Sequence, residues 1–200
     1  MPFPNISDIR FATIKSQCYL LDTNVWLALV SGLASPDKKF VPYLDFVDKI
    51  LSSTLHPKPK IVLSNLQVSE LINAYLRQVA MRRYVLENHV GQPGPDYFKM
   101  VYRSTPHFAT HHKLIRDEIK GYEPSLTPQD DRYTQIGPYK IIDELAPKMD
   151  YNDYYYYKLC VQLSKEGIQT AIVTHDGDFK FKDVEIITDN STLKNLRYQS

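Results

Sequence analysis

Two hundred residues, 43% apolar and 24% charged, suffice for one domain with a sizeable core and exclude a disordered chain. Only two cysteines, Cys18 and Cys160, exclude a disulfide framework and a cysteine zinc site, and the longest apolar runs are too short to span a bilayer. A net charge of +1 excludes the strongly basic profile of a protein that coats nucleic acid, but not an enzyme that concentrates carboxylates in its site. The opening Met1-Pro2-Phe3-Pro4 lacks the basic-then-apolar layout of a secretory signal, so the expected setting is the reducing cytoplasm, with no membrane partner.

In chain order, Gln17–Leu21 (QCYLL) is continuously apolar, as in a strand buried on both faces of a parallel sheet, and it ends at Asp22-Thr23-Asn24. Val25–Leu33 lacks proline and is expected to open a helix. Val41–Leu51 repeats Leu44, Phe46, Val47, Ile50 and Leu51 at helical intervals. Lys60–Leu63 (KIVL) reads as a second strand. Ser64 is the expected N-cap of a long helix running to about His89, with Val68, Leu71, Ile72, Tyr75, Leu76 and Val79 on one core-facing stripe.

The stretch at about 91–137 begins with GQPGPD and ends with EPSLTPQDDRYTQIGP, both rich in turn residues. Between them Tyr97–Tyr122 has a helical pattern interrupted near Pro106, which reads as a helical insertion without enough apolar residues for its own core. Asp150 then opens a helix with Tyr156, Leu159, Cys160 and Leu163 on one face, closed by Gly167. Thr170–Val173 is a third strand, ending at Thr174-His175-Asp176. Val184–Thr188 (VEIIT) is a fourth, expected at an edge. The expected fold is a single α/β domain over residues 1–200: a three-layer sandwich with a mostly parallel central sheet and a helical insertion.

Asp22 and Asp176 each sit where a buried strand ends, which is where ligands bind in open α/β sheets. Asp153 continues the inward face into the first turn of its helix, and Glu70 lies early in the long one. Carboxylates gathered this way raise one another's pKa unless a cation is present, and an all-oxygen site suits Mg²⁺ or Mn²⁺. Such an ion activates water and stabilises in-line displacement at phosphorus, so the chemistry that suits this constellation is phosphodiester hydrolysis.

The segments LLDTNVWLAL (20–29), SNLQVSELINAYLR (64–77), MDYNDYYYYKLC (149–160) and IVTHDGDF (172–179) resemble the PIN-domain family of metal-dependent ribonucleases. The resemblance covers the first ninety or so residues and the last sixty, not the middle. It implies metal ligation and catalysis by Asp22, Glu70, Asp153 and Asp176, with Asp150 the other candidate for the third position. It also implies supporting roles for Asn24 and Thr174 and auxiliary ones for Asp150 and Asp178. A single-stranded RNA substrate follows, and some relatives of this type are toxins held by an inhibitory protein partner. Edge strands and exposed tyrosines are compatible with a homodimer.

Each residue also has an ordinary reading. Asp150 and Asp153 are the acids of a near capping box, Glu70 could be solvated, and Asp176-Gly177-Asp178 could be a turn. Asp22 resists this, because a charge directly after a buried apolar run is expensive unless paired. Arg77, Arg82 and Arg83 could grip phosphates or form a solvated helix face. The Tyr154–Tyr157 run could stack on bases, but helical geometry spreads it around the axis and packing is expected. His107 and His111 have zinc-pair spacing, yet Phe108 stands where the glutamate of HExxH belongs, and surface histidines are expected. A phosphatase with an aspartyl-phosphate intermediate would want an acid at position 24, where Asn24 stands. The remaining alternative is a catalytically weak PIN-like module that binds RNA or protein.

Overall fold

Short apolar runs that are buried on both faces pair side by side and need helices above and below them. The structure, a computed structural model, describes residues 5–31, 37–147 and 149–197. Among them β1 (Ile6–Asp8), β2 (Cys18–Leu21), β3 (Lys60–Ser64), β4 (Leu126–Gln129), β5 (Thr170–Val173) and β6 (Glu185–Thr188) form one sheet in the order β1-β6-β5-β2-β3-β4. Every pairing is parallel.

Side chains alternate across the strands and build two apolar layers. On one face Tyr19, Leu21, Ile61, Leu63, Ala171 and Val173 pack with Val25 and Trp26 of α1 (Thr23–Val30) and Phe46 and Ile50 of α2 (Val41–Leu51). On the other, Leu20, Val62, Ile172 and Ile186 pack with Tyr156, Leu159 and Leu163 of α9 (Tyr151–Lys165). The result is an α/β fold with helices on both sides of an all-parallel sheet, consistent with a three-layer sandwich.

Local chemistry sets the helix ends. Ser64 caps α3 (Asn65–Ala74) by accepting from the Gln67 amide at 3.2 Å. This helix runs through a π-helical turn (Tyr75–Ala80) into α4 (Met81–Glu87), close to the expected length. Asp150 caps α9 by accepting from the Asn152 amide at 2.7 Å, and Gly167 follows with φ of +83°, a backbone shape that glycine adopts freely. The first helix ends at Val30; Gly32 and Leu33, expected to extend it, lie outside the described residues.

The stretch at 91–137 contains α5 (Tyr97–Met100), α6 (Pro106–Gly121) and α7 (Tyr133–Ile136), followed by α8 (Pro138–Glu144). Its Phe98, Tyr102, Ile115 and Ile119 join the main apolar layer, and Tyr122 meets Trp26 edge to face at 5.7 Å. The chain closes with α10 (Ser191–Arg197).

Three expectations are corrected. VEIIT is interior rather than marginal, because Ile6–Asp8 pairs outside it, Ile6 beside Ile186. The turn-rich end of the insertion is not all loop: Leu126–Gln129 forms the opposite margin, held by pairing with β3. His111 is buried and His107 half-buried, where surface histidines were expected. Pro106 starts α6, so the pair faces inward, where His111 bonds the Tyr75 hydroxyl at 2.9 Å and His107 the Tyr102 hydroxyl at 3.0 Å. Their polar atoms are met by neighbouring tyrosines, which accounts for the spacing as packing. The tyrosine run packs as expected: Tyr155 and Tyr156 are buried, and Tyr157 stacks on Phe181 at 4.1 Å.

Among the described residues no helix is long and apolar enough to cross a membrane. Phe46 is fully buried and meets Tyr19 edge to face at 5.6 Å. Phe46→Ala is expected to lower the unfolding free energy by about 3–5 kcal/mol, read from urea denaturation.

Candidate active site

The register of the sheet decides what stands beside Asp22. Leu21 pairs with Val173, so the next residues, Asp22 and Thr174, leave the sheet side by side. The Asp22 amide donates to the Val173 carbonyl at 2.9 Å. Its carboxylate is 5% exposed and accepts from the Thr174 hydroxyl at 2.6 Å and from the Asn24 side-chain amide at 2.5 Å. Thr174 in turn accepts from the Asp176 amide at 2.8 Å, and Asp176 accepts from the Asp178 amide at 2.9 Å. The Asn24 side-chain oxygen accepts from the His175 backbone amide at 3.4 Å. Asn24 and Thr174, the two polar residues named beside Asp22 in the sequence, both bond its carboxylate.

The other acids arrive on helices. On the neighbouring strand β3, Ser64 turns the chain into α3, whose Gln67 donates its side-chain amide to the Leu21 carbonyl. Glu70, one turn further, accepts from the Tyr156 hydroxyl of α9 at 2.5 Å. Asp153 is half-buried in the first turn of α9, whereas Asp150 is exposed and engaged as its cap.

Electrostatics tie the four acids together. Burial first, and the Asp176 and Glu70 charges after it, push Asp22 up to about 6 against the Thr174 bond that lowers it. Burial, then the charges of Asp22, Asp150, Asp176 and Glu70, push Asp153 up to about 8. Burial and the adjacent Glu70 charge raise the Tyr156 hydroxyl, which keeps it a proton donor to that carboxylate.

Among the described residues, no group of three or more His, Cys, Asp or Glu side chains is arranged to hold a metal ion. The donor chemistry nevertheless suits a hard cation: the acids are all carboxylates, and the raised pKa of two of them would fall beside a positive charge. Thr23 Oγ1 and Gln67 Oε1, both buried next to Asp22 in the chain or the fold, have no hydrogen-bond partner among the described residues. Neither residue stood out in the sequence. Ser64-x-x-Gln67 has capping-box spacing, but the glutamine reaches β2 instead of the Ser64 backbone.

A groove of about 360 Å³ adjoins Asn24, lined by Leu27, Phe40, Lys39, Gln78 and Arg82 among others. Lys39 lies 5.1 Å over the Phe40 ring and pairs with Asp37 at 3.4 Å. Of the three arginines singled out in the sequence, Arg82 lines this groove. Arg77 lies 4.1 Å over the Phe98 ring, and the charge of Arg83 acts on Tyr75 and His111. At the site's other margin, His175 bonds the Tyr43 hydroxyl at 3.0 Å and is held below its usual range by burial and then by Lys39.

Comparison with protein-family models and with curated proteins finds no match.

The raised acids make the metal-free fold sensitive to pH in a defined direction. Asp22 and Asp153 titrate at about 6 and about 8 in the fold but near the ordinary 3.8 when unfolded, so the folded state binds more protons between these limits. Stability should therefore fall as pH rises through that window, with Tm in EDTA lower at pH ~8 than at pH ~5. Asp22→Asn should flatten the profile, and a Tm that instead rises with pH would contradict the arrangement of charges.

Proposed function

We propose that this protein is a metal-dependent endoribonuclease of the PIN type, with Asp22, Glu70, Asp153 and Asp176 as its Mg²⁺ or Mn²⁺ ligands. The observation that carries the reading is that Asp22, buried, and Asp153, half-buried, stand within the field of the Asp176 and Glu70 charges at the carboxyl end of the sheet, burial first and those charges after it raising both. An arrangement that opposes the charge of its own acids is unfavourable alone and favourable around a divalent cation. The bound ion would supply Lewis acidity at a scissile phosphate and lower the pKa of an attacking water.

The chain's own groups have separate tasks. Thr174 and Asn24 orient the Asp22 carboxylate, fixing which oxygen is spoken for and which remains available. Tyr156 does the same for Glu70. Asp153, held protonated near neutrality when no cation is bound, can accept or release a proton as charge at the site changes. Lys39 and Arg82 in the adjoining groove give phosphates of an RNA strand two cationic contacts, and Phe40 gives a base a flat surface.

One observation favours a second reading, a PIN-like module that binds RNA or protein with little turnover: the acids are not drawn into a ready cage.

Purified protein incubated with labelled single-stranded RNA and DNA, with Mn²⁺, Mg²⁺ or EDTA, separates the two. Cleavage of RNA with either metal is expected, none in EDTA, and a loss of ~10²-fold or more in Asp22→Asn. Binding of RNA without cleavage under any metal would favour the module.

A further inference from the structure

The turn after β5 carries a side chain held on every side but one. His175 stands between Thr174, which bonds Asp22, and Asp176. Its backbone amide donates to the Asn24 side chain at 3.4 Å, and its carbonyl accepts from the Asn190 side chain at 2.8 Å. The ring lies edge to face against Tyr43 at 5.5 Å and tilted against Phe40 at the same separation. Nδ1 is 3.0 Å from the Tyr43 hydroxyl. Nε2 has no hydrogen-bond partner among the described residues, and unlike Gln67 Oε1 it keeps surface open to solvent, in a half-buried residue.

The hydrogens around Tyr43 decide what Nε2 offers. The Tyr43 hydroxyl belongs to a buried residue and has one hydrogen to give and two lone pairs to fill. The Asp189 amide donates to it at 2.7 Å, and it meets the Thr188 hydroxyl at 3.2 Å. Thr188 is fully buried and already accepts from the Asn190 amide at 2.9 Å. Were Tyr43 to donate to Thr188, the threonine hydrogen would have no acceptor among the described residues, a costly arrangement in the interior. Thr188 therefore donates to Tyr43, and Tyr43 donates to His175 Nδ1. A ring that accepts at Nδ1 carries its hydrogen on Nε2. The charged ring has a hydrogen there too, so Nε2 is a donor in either protonation state.

The surroundings of this donor suit a sugar better than a phosphate. The charges acting on the ring are those of Lys39 and of three carboxylates, Asp189, Asp37 and Asp176, and Lys39 is paired with Asp37 at 3.4 Å. An anion at Nε2 would meet that excess of negative charge, whereas a neutral hydroxyl would not. Phe40 lines the groove beside Asn24, and a base laid on its ring brings the directly bonded ribose toward the neighbouring imidazole. We propose that His175 Nε2 donates to a ribose 2′-hydroxyl of the bound strand, and that this residue makes the site choose RNA over DNA. Tyr43 is a positioning residue: its hydroxyl, anchored by Asp189 and Thr188, holds the ring and its hydrogen in place. This role of His175 rests on the nuclease reading above and adds to it the atom that reads the sugar.

Short fluorescein-labelled oligouridylate and oligodeoxyuridylate differ only in the 2′-hydroxyl, and their binding can be followed by anisotropy in EDTA, so that cleavage plays no part. The ribose strand should bind about three- to tenfold more tightly, the range of one net hydrogen bond. His175→Phe keeps a flat ring against Phe40 and Tyr43 but removes the donor, and should abolish most of that difference. His175→Gln supplies an acceptor for Tyr43 and a donor of its own, and should keep part of it. Tyr43→Phe should lower the ratio of the two affinities as well, a readout that lost stability alone does not move, because both strands meet the same folded fraction. Equal affinities in the wild type, a preference for the deoxyribose strand, or a ribose preference untouched by His175→Phe would overturn the role of His175. If RNA is still cut with Mn²⁺ in that event, the reading of the sugar alone falls. Absence of both binding and cleavage would overturn it together with the nuclease reading.

Discussion

The pairing of β2 with β5 is the constraint from which the rest of the site follows. Parallel strands end at the same margin, and the register that sets Leu21 against Val173 leaves no freedom over which residues emerge together. Asp22 emerges beside Thr174 and is buried there, in a position where a carboxylate without donors would be untenable. Two neutral donors make it tenable, and neither is a cation. The charge is accommodated without being neutralised, so Asp22 remains responsive to whatever else is brought near.

The flanking helices exploit that opening from both faces of the sheet. The Ser64 cap and the Gln67 amide pin the start of α3 to β3 and β2, and α9 delivers Asp153 and Tyr156 from the opposite layer. The acids come to lie in one another's field because three separate devices (a strand register, a helix cap and a helix packed on the far face) point to the same margin. Protein folds of this kind give up stability at their sites, and here the sacrifice is electrostatic and not a matter of strained backbone.

Much of this was legible from residue order. Buried runs at 18–21 and 170–173, the helix over 41–51, the Ser64 and Asp150 caps and the glycine at 167 each carry a local signal that tertiary structure did not override. The margins of the sheet were not. Ile6-Ser7-Asp8 has a single apolar side chain, and Leu126-Thr127-Pro128-Gln129 contains a proline, so both become strands only through the neighbour they pair with. At the candidate site, the acids could be picked out by type and place at element ends. Gln67, Thr23 and Tyr156 did not, because a neutral polar group acquires meaning only from the atom it faces. The histidines at 107 and 111 show the converse, a suggestive spacing that belongs to packing against tyrosines.

Pro128 has a consequence for how copies of this protein can meet. It sits in β4, the four-residue strand at one margin of the sheet, opposite Leu63, and has no amide hydrogen to offer. The other margin, β1, is three residues long and is followed by a knot of charges in which Asp8 and Asp189 engage Arg10 and Lys194. A short rim lacking a donor and a short rim dressed in ions both refuse a further strand. Among the described residues both margins of the sheet are thus poor templates for a further strand, and contact between copies through helices and loops would leave the carboxyl margin with its acids clear.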